Sequence, residues 1–158
     1  MIDTAAARAH CVKLSYSLSG PLLVIPMRNA AGELRSLQFI TEDGTTKRPL
    51  TGGEKQGCHY RIDKPDSAAH GGILIVCEGF ATGASIHEAT GQPVAVAFDS
   101  GNLEHVAKSL RKLYPDAALI VAADDDHQTE GNPGRTAAAG AAKPVGGFVV
   151  PPMFPSDR

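Results

Sequence analysis

The sequence predicts an α/β fold in which a parallel four-stranded sheet flanked by helices is preceded by a small antiparallel β subdomain. Two observations predict it. From residue 73 onward, short apolar runs typical of buried parallel strands alternate with stretches of helical spacing. Between residues 21 and 62, shorter runs are separated by glycine-containing turns, a pattern typical of an antiparallel meander.

The predicted meander consists of four runs. LLVIPM (22–27) and ELRSLQFI (33–40) are separated by RNAAG, and KRPL (47–50) and CHYRI (58–62) flank the loop TGGEKQG. Gly, Asn and Asp at these connections are the residues that tight turns need. We therefore expect a small, mostly β unit in the front half of the chain.

The back half changes its period. Its predicted strands cover 73–77, 94–98, 118–123 and 147–150, and its predicted helices cover 80–90, 103–113 and 134–143. This order, β-α-β-α-β-α-β, predicts a parallel sheet with right-handed crossovers and helices on both faces.

The polar segment 63–72 contains proline and glycine and precedes this change of period, so it is the predicted domain boundary. We predict a mildly basic, mostly β subdomain over 1–69, a catalytic domain over 70–151 and a tail over 152–158.

Composition excludes several classes of protein. The 158 residues are 42% hydrophobic, contain no apolar run near the roughly 20 residues that cross a bilayer, and begin without a signal-peptide core. The three cysteines form no CxxC pair, which suits a reducing compartment. We expect a cytoplasmic protein with no membrane association.

Charge is uneven along the chain. Residues 1–70 carry nine Lys and Arg against seven Asp and Glu, whereas residues 71–158 carry six against ten. Such an asymmetry suits a protein that holds a polyanion with one part and a metal ion with the other.

Acidic residues follow two predicted strands. Glu78 comes directly after ILIVC, and Asp124, Asp125 and Asp126 follow ALIVAA. If these strands are parallel neighbours, the carboxylates meet at one edge of the sheet, where ligands of such folds bind. Carboxylates are ligands that Mg²⁺ or Mn²⁺ prefers, and residues two apart on an extended segment, Asp124 and Asp126, project to the same side. The alternative is a solvated acidic turn.

At this point the motifs resemble a known family. CEGFATG, followed by a β-α-β unit and AADDDH, resembles the Toprim domain of bacterial-type primases, topoisomerases and certain nucleases. The run LLVIPMRNAAGELRSLQFITEDGTTKRPL ahead of it is similar to primase-type Toprim proteins of phages, plasmids and mobile elements. The resemblance covers about residues 21 to 151 and implies a Toprim-like, Rossmann-like fold.

The resemblance implies roles for the acidic residues. Glu78 would act as general acid/base or metal contact, and Asp124 and Asp126 would hold Mg²⁺ or Mn²⁺. Gly79 and Asp125 would support them; we expect Gly79 to form a strand-to-helix turn with positive φ and Asp125 to point away from the metal. Where many cellular primases carry an acid four residues after the glutamate, this chain has Thr82, so a fourth acidic ligand is not expected there.

The resemblance also implies nucleotide or DNA contacts for basic residues. Lys47 and Arg48 would meet a phosphate of the nucleotide or template, with Arg35 and Arg135 as further candidates. Arg135 has an alternative role, pairing with one of the aspartates.

The resemblance therefore implies a DNA primase core that makes short primers on single-stranded DNA from nucleoside triphosphates by Mg²⁺-dependent nucleotidyl transfer. Two alternatives stay open, a Toprim nuclease or nicking module and a non-catalytic DNA-binding accessory domain. The sequence has neither a Cys/His zinc module nor a GxxxxGK[ST] loop, so we expect a fragment or one core of a larger machine, with helicase or zinc-binding domains as partners.

Overall fold

The structure of the protein is a computed structural model that describes residues 13–17, 20–63, 72–125 and 128–152. Its contacts divide the chain into two compact units, Met1–Tyr60 and Arg61–Arg158. The predicted boundary segment falls largely outside the described residues, so the domain limits 1–69, 70–151 and 152–158 stay predictions. Within the described ranges, no helix is long and apolar enough to span a membrane.

The first unit is built on an antiparallel sheet. Its strands are β1 (Lys13–Ser17), β2 (Gly20–Arg28), β3 (Leu34–Thr41) and β4 (Lys47–Pro49), arranged in the order β1-β2-β3-β4. Each strand pairs antiparallel with the next. The predicted antiparallel subdomain is therefore present, and β1 adds a strand where the sequence pattern indicated none.

One face of this sheet is buried and the other is half open. Ile40 and Gln38 of β3 are buried opposite Leu23 and Ile25 of β2. Phe39 lies between them on the other face and is only partly buried. Because neighbouring residues of a strand point to opposite faces, β3 separates a packed side from an accessible one.

The second sheet has five strands in the order β5-β7-β6-β8-β9. Their bounds are β5 (Tyr60–Ile62), β6 (Ile73–Cys77), β7 (Val94–Val96), β8 (Ala118–Ala122) and β9 (Phe148–Val150). β6 pairs in parallel with both β7 and β8, and β8 pairs in parallel with β9. The predicted parallel four-stranded sheet is confirmed.

The strand β5 corrects the predicted meander. Residues 60–62 were expected to belong to the antiparallel sheet, but they lie beside β7 at the edge of the second sheet. Ile62 is completely buried, and its Cδ1 lies 3.3 Å from the position a Cβ would take at Gly83. Packing against the helix that contains Gly83 thus decides which sheet this three-residue strand joins. Its short sequence does not indicate the sheet.

Three α-helices connect the parallel strands, as predicted. They are α1 (Phe80–Thr90), α2 (Leu103–Leu113) and α3 (Pro133–Ala142). A short 3₁₀ turn, Ser100–Asn102, leads into α2, and another, Lys143–Val145, follows α3.

The helices cover both faces of the sheet. The α2 and α3 helices share one apolar cluster with residues that alternate along the strands, including Leu74 and Val76 of β6. On the opposite face, Gly83 of α1 lies against Cys77 and Val96. The central strands β6 and β7 are therefore buried on both sides from Leu74 to Cys77 and from Val94 to Val96, which explains their continuous apolar runs, whereas the edge strand β9 is exposed.

Candidate active site at the carboxyl edge of the parallel sheet

Glu78 and Asp124 lie at the carboxyl ends of two neighbouring strands. In the β6–β8 register, Val76 lies opposite Val121, so Glu78 is two residues and Asp124 three residues beyond one paired position. Both residues are half-buried. The adjacency that the sequence left conditional is therefore present, and parallel pairing brings the two acids to one edge.

The thiol of Cys77 lies close to both carboxylates. Burial first, and then the negative charges of Asp124 and Glu78, together raise the pKa of Cys77 from 9.0 to about 12. A thiolate would be a third negative charge at this point, and the neighbouring charges disfavour it. Cys77 is therefore a neutral, buried thiol, and the charges of Glu78 and Asp124 both act on it.

The turn after Glu78 has a different geometry from the predicted one. Gly79 has φ −99° and ψ 147°, an extended conformation that any residue adopts, so the expected positive φ is wrong. Gly79 is the N-cap of α1; its carbonyl accepts from Gly83 N at 2.9 Å and from Cys77 Sγ at 3.5 Å. The strained residue of this edge is instead Phe98, whose φ is +75° and whose N–H donates to the carbonyl of Glu78 at 2.8 Å.

Asp99 is an acid at this edge that sequence reasoning did not assign to the site. It follows β7 and is half-buried, and its Oδ1 accepts from the backbone N–H of Asn102 at 3.0 Å. Asn102 is buried, and its Nδ2 donates to the carbonyl of Ala97 at 2.8 Å. The position of Asp99 directly after a predicted parallel strand was the available signal.

Asp125 anchors the loop to α3. Its Oδ1 accepts from Asn132 Nδ2 at 2.5 Å and lies 3.2 Å from Arg135 Nε, while its side chain is only 7% exposed. Asn132 is the N-cap of α3 with φ +40°, and its Oδ1 accepts from the backbone N–H of Arg135 at 3.3 Å. Asp125 is thus bound to the start of the next helix, and Arg135 pairs with an aspartate.

Glu78 and Asp124 are oxygen donors that suit a hard cation. Asp126 lies outside the described residues. Among the residues that the structure describes, no group of three His, Cys, Asp or Glu side chains could hold a metal ion. The convergence of Glu78 and Asp124 supplies two oxygen donors of the kind that Mg²⁺ and Mn²⁺ bind, and substrate phosphates commonly complete such a shell.

The predicted basic contacts divide into two groups. Lys47 and Arg48 lie on the exposed strand β4, and neither takes part in an ion pair among the described residues. Arg35 lies 2.6 Å from Glu33 Oε2 and 3.7 Å from Glu54 Oε2. The roles of Arg35 and Arg135 in DNA binding stay predictions, and carboxylates already partner both side chains.

Known proteins resemble this chain in sequence. Two curated proteins of Escherichia coli, both described as DNA primase TraC, are 43% identical to it over 139 residues, which is 85% of the chain. The chain spans only 13% and 10% of their lengths.

Solved primase structures share the fold. The primase fragment of the bacteriophage T7 primase-helicase protein matches with a TM-score of 0.66 and 16% identity, over 98% of this chain and 62% of that chain. The DnaG catalytic core matches with a TM-score of 0.57 and 12% identity, over 89% of this chain and 55% of that chain. At these identities the likeness concerns the fold alone. The family model for the Toprim domain matches residues 73–152, which span both acidic strand ends, so the chain belongs to the Toprim domain family.

Proposed function

We propose that this chain is the nucleotidyl-transfer core of a DNA primase, making short primers on single-stranded DNA from nucleoside triphosphates. The observation that carries the proposal is the convergence of Glu78 and Asp124 at neighbouring strand ends, where both charges act on Cys77. The 43% identity to DNA primase TraC supports it. We place the reaction in the cytoplasm, where its nucleotide substrates are.

In the proposed reaction, the 3′-hydroxyl oxygen of the primer attacks the α-phosphorus of the incoming triphosphate. A bond forms between them, the bond to the β-phosphate oxygen breaks, and pyrophosphate leaves. Glu78 accepts the hydroxyl proton, and its backbone carbonyl is held by the N–H of Phe98 at 2.8 Å. Asp124 and Asp126, with Glu78, would hold Mg²⁺ or Mn²⁺, which supplies stabilisation of the charge on the phosphate oxygens.

Asp125 has a positioning role in this proposal. Its contacts to Asn132 and Arg135 tie the segment after β8 to the first turn of α3. A carboxylate with these donors fixes the backbone directly after Asp124, so Asp124 is presented from an anchored segment. We propose that Lys47 and Arg48 contact phosphates of the template, and that helicase or zinc-binding domains act with this core.

The test is a product assay. The protein is incubated with Mg²⁺ or Mn²⁺, labelled nucleoside triphosphates and labelled circular single-stranded DNA, beside Glu78→Gln and Asp124→Asn. Asp116→Asn is a matched control, because exposed Asp116 precedes the amino end of β8 whereas Asp124 follows its carboxyl end. We expect short oligonucleotides from the wild type and Asp116→Asn, and at least a hundredfold less from the other two, the order of loss for a transition-state contact.

Other products would change the assignment. The same acids can support hydrolysis, so cut DNA without new oligonucleotides would replace the primase proposal by a nuclease. DNA binding without either product would leave an accessory domain. Asp124→Asn should melt at or slightly above the wild-type temperature without metal, because removing one of two neighbouring charges relieves their repulsion; this separates lost chemistry from lost fold.

A further inference from the structure

The half-open face of the antiparallel sheet contains a depression of about 240 Å³. Its wall is formed by residues of β2, β3, β4 and the residues after β4: Leu22, Phe39, Arg48, Pro49, Leu50 and Thr51. The register places Phe39 directly opposite Arg48, so the ring and the cation share one face of the sheet. The depression therefore combines an aromatic ring, aliphatic walls and one positive charge.

The positive charge of Arg48 differs in its pairing from that of Arg35 on the neighbouring strand. None of the ion pairs among the described residues includes Arg48, whereas Arg35 on the neighbouring strand lies against Glu33 and Glu54. None of the six residues that line the depression is acidic. An anionic ligand thus meets a guanidinium that forms no ion pair with a carboxylate in the part of the chain that the structure describes.

We propose that this depression binds one nucleotide of single-stranded DNA, with the base against Phe39 and the adjacent phosphate on Arg48. The proposal rests on the proposed function for the identity of the ligand, and it adds a base-binding site to the phosphate contacts suggested for β4. A ring and a cation side by side match the alternation of base and phosphate along a single strand.

Size and charge favour a nucleotide of a strand over a free triphosphate. A volume of about 240 Å³ is below the roughly 300–1,000 Å³ of sites that enclose a whole small ligand. A single arginine suits one phosphodiester, and the wall offers no carboxylate for the Mg²⁺ that accompanies a triphosphate.

The experiment measures the affinity of the full chain for a fluorescein-labelled thymidine 12-mer by anisotropy at several salt concentrations. Phe39→Leu should weaken binding about tenfold or more at every salt concentration, because stacking does not depend on salt, and Phe39→Tyr should restore it. Arg48→Ala should lower the slope of log affinity against log salt by about 0.7, the value for one phosphate on a single strand.

Arg35→Ala is the matched control for charge. It removes the same charge from the same sheet, where Glu33 and Glu54 already compensate it, so its effect on the slope should be smaller than that of Arg48→Ala. The melting temperature of each variant is measured as well, and a value equal to that of the wild type would show that the sheet is folded. Adenosine triphosphate is added as a competitor and should displace the 12-mer only weakly.

Three results would overturn the proposal: wild-type affinity in Phe39→Leu, equal slopes for Arg48→Ala and Arg35→Ala, or triphosphate binding that depends on Phe39 while DNA binding does not. Wild-type affinity in Phe39→Leu would mean that the depression holds a protein side chain and not a base. Failure here is separable from failure of the primase proposal, because the product assay depends on Glu78 and Asp124. If Phe39→Leu left DNA binding unchanged and the wild type still made primers, only the proposed base-binding site would be withdrawn.

Discussion

The two units place their charges differently, and the pKa of one buried cysteine in each unit shows the difference. In the antiparallel unit, burial and the charge of Glu54 raise the pKa of Cys58, but the charge of Arg35 opposes them. In the parallel unit, burial, Asp124 and Glu78 all raise the pKa of Cys77. In the antiparallel unit a loop residue, Glu54, sets a negative charge beside Arg35 of β3, whereas parallel strands deliver like charges to a common edge.

This difference explains where each unit can bind a ligand. At the edge of the parallel sheet, the proposed metal ion would neutralise part of the accumulated negative charge. On the antiparallel sheet, Arg35 forms ion pairs with Glu33 and Glu54, whereas Arg48 forms no ion pair among the described residues. The proposed cation site of the parallel unit therefore follows from strand topology. The proposed anion site of the antiparallel unit follows from which side chains form ion pairs.

The largest effect concerns the packing that holds the edge in place. A Cβ on Gly83 would lie 2.9 Å from Val96 Cγ2 and 3.0 Å from Cys77 Sγ. Gly83→Ala should therefore lower the free energy of unfolding by about 1–3 kcal/mol through overpacking. Gly140→Ala in α3 meets open space and should raise it by up to about 1 kcal/mol. Urea denaturation measures both, and equal stability of the two variants would show that α1 is not closely seated on the sheet.

A smaller effect is the pH dependence that Cys77 adds. Its pKa rises from 9.0 to about 12 on folding, so above pH 9 the unfolded chain loses a proton that the native state keeps. The free energy of unfolding should therefore fall with rising pH, by about 1 kcal/mol at pH 10.

Denaturation at pH 8 and pH 10 tests this, with Cys77→Ala expected to lose that part of the decrease. Cys58→Ala is the parallel control and should lose less, because Arg35 partly offsets the rise in the pKa of Cys58. Identical pH profiles for the wild type and Cys77→Ala would contradict the raised pKa of this buried thiol.

The smallest effect concerns the charge pairing of the antiparallel sheet. Glu54 lies 3.7 Å from Arg35, and both side chains are about half exposed, at 59% and 43%. Glu54→Gln should change the free energy of unfolding by less than about 0.5 kcal/mol, because exposed ion pairs contribute little. Affinity for a single-stranded oligonucleotide should rise slightly at low salt and match the wild type at high salt. A gain that persists at high salt would show that Glu54 acts by something other than charge.

Strong periodic signals in the sequence were sufficient for most of the fold. The apolar runs of β6 and β8 and the spacing of α2 predicted their elements, and parallel pairing then predicted that Glu78 and Asp124 would meet. The sheet joined by β5 was not predictable, since Ile62 packs below Gly83, which lies 21 positions away along the chain. Three residues carry too little pattern to choose between two sheets.

Side-chain pairing in the site was harder to predict than its position. Asp125 binds Asn132 and Arg135, and Asn132 takes a left-handed conformation at the helix start that no local pattern specified. Arg35 finds Glu54 through the loop that follows β4, a contact set by tertiary structure. Asp99 was predictable from its place after β7, because the carboxyl ends of parallel strands meet at one edge of the sheet.

The most direct test of the central claim, that the carboxyl edge of the parallel sheet gathers acids to bind a metal ion, is a Mn²⁺ titration followed by electron paramagnetic resonance. Wild type, Asp124→Asn and Asp116→Asn are compared without nucleotide or DNA. The account predicts that Asp124→Asn weakens Mn²⁺ binding at least tenfold, within the range for losing a contact in a metal site, while Asp116→Asn binds as the wild type does. Equal Mn²⁺ affinity in all three proteins would contradict it.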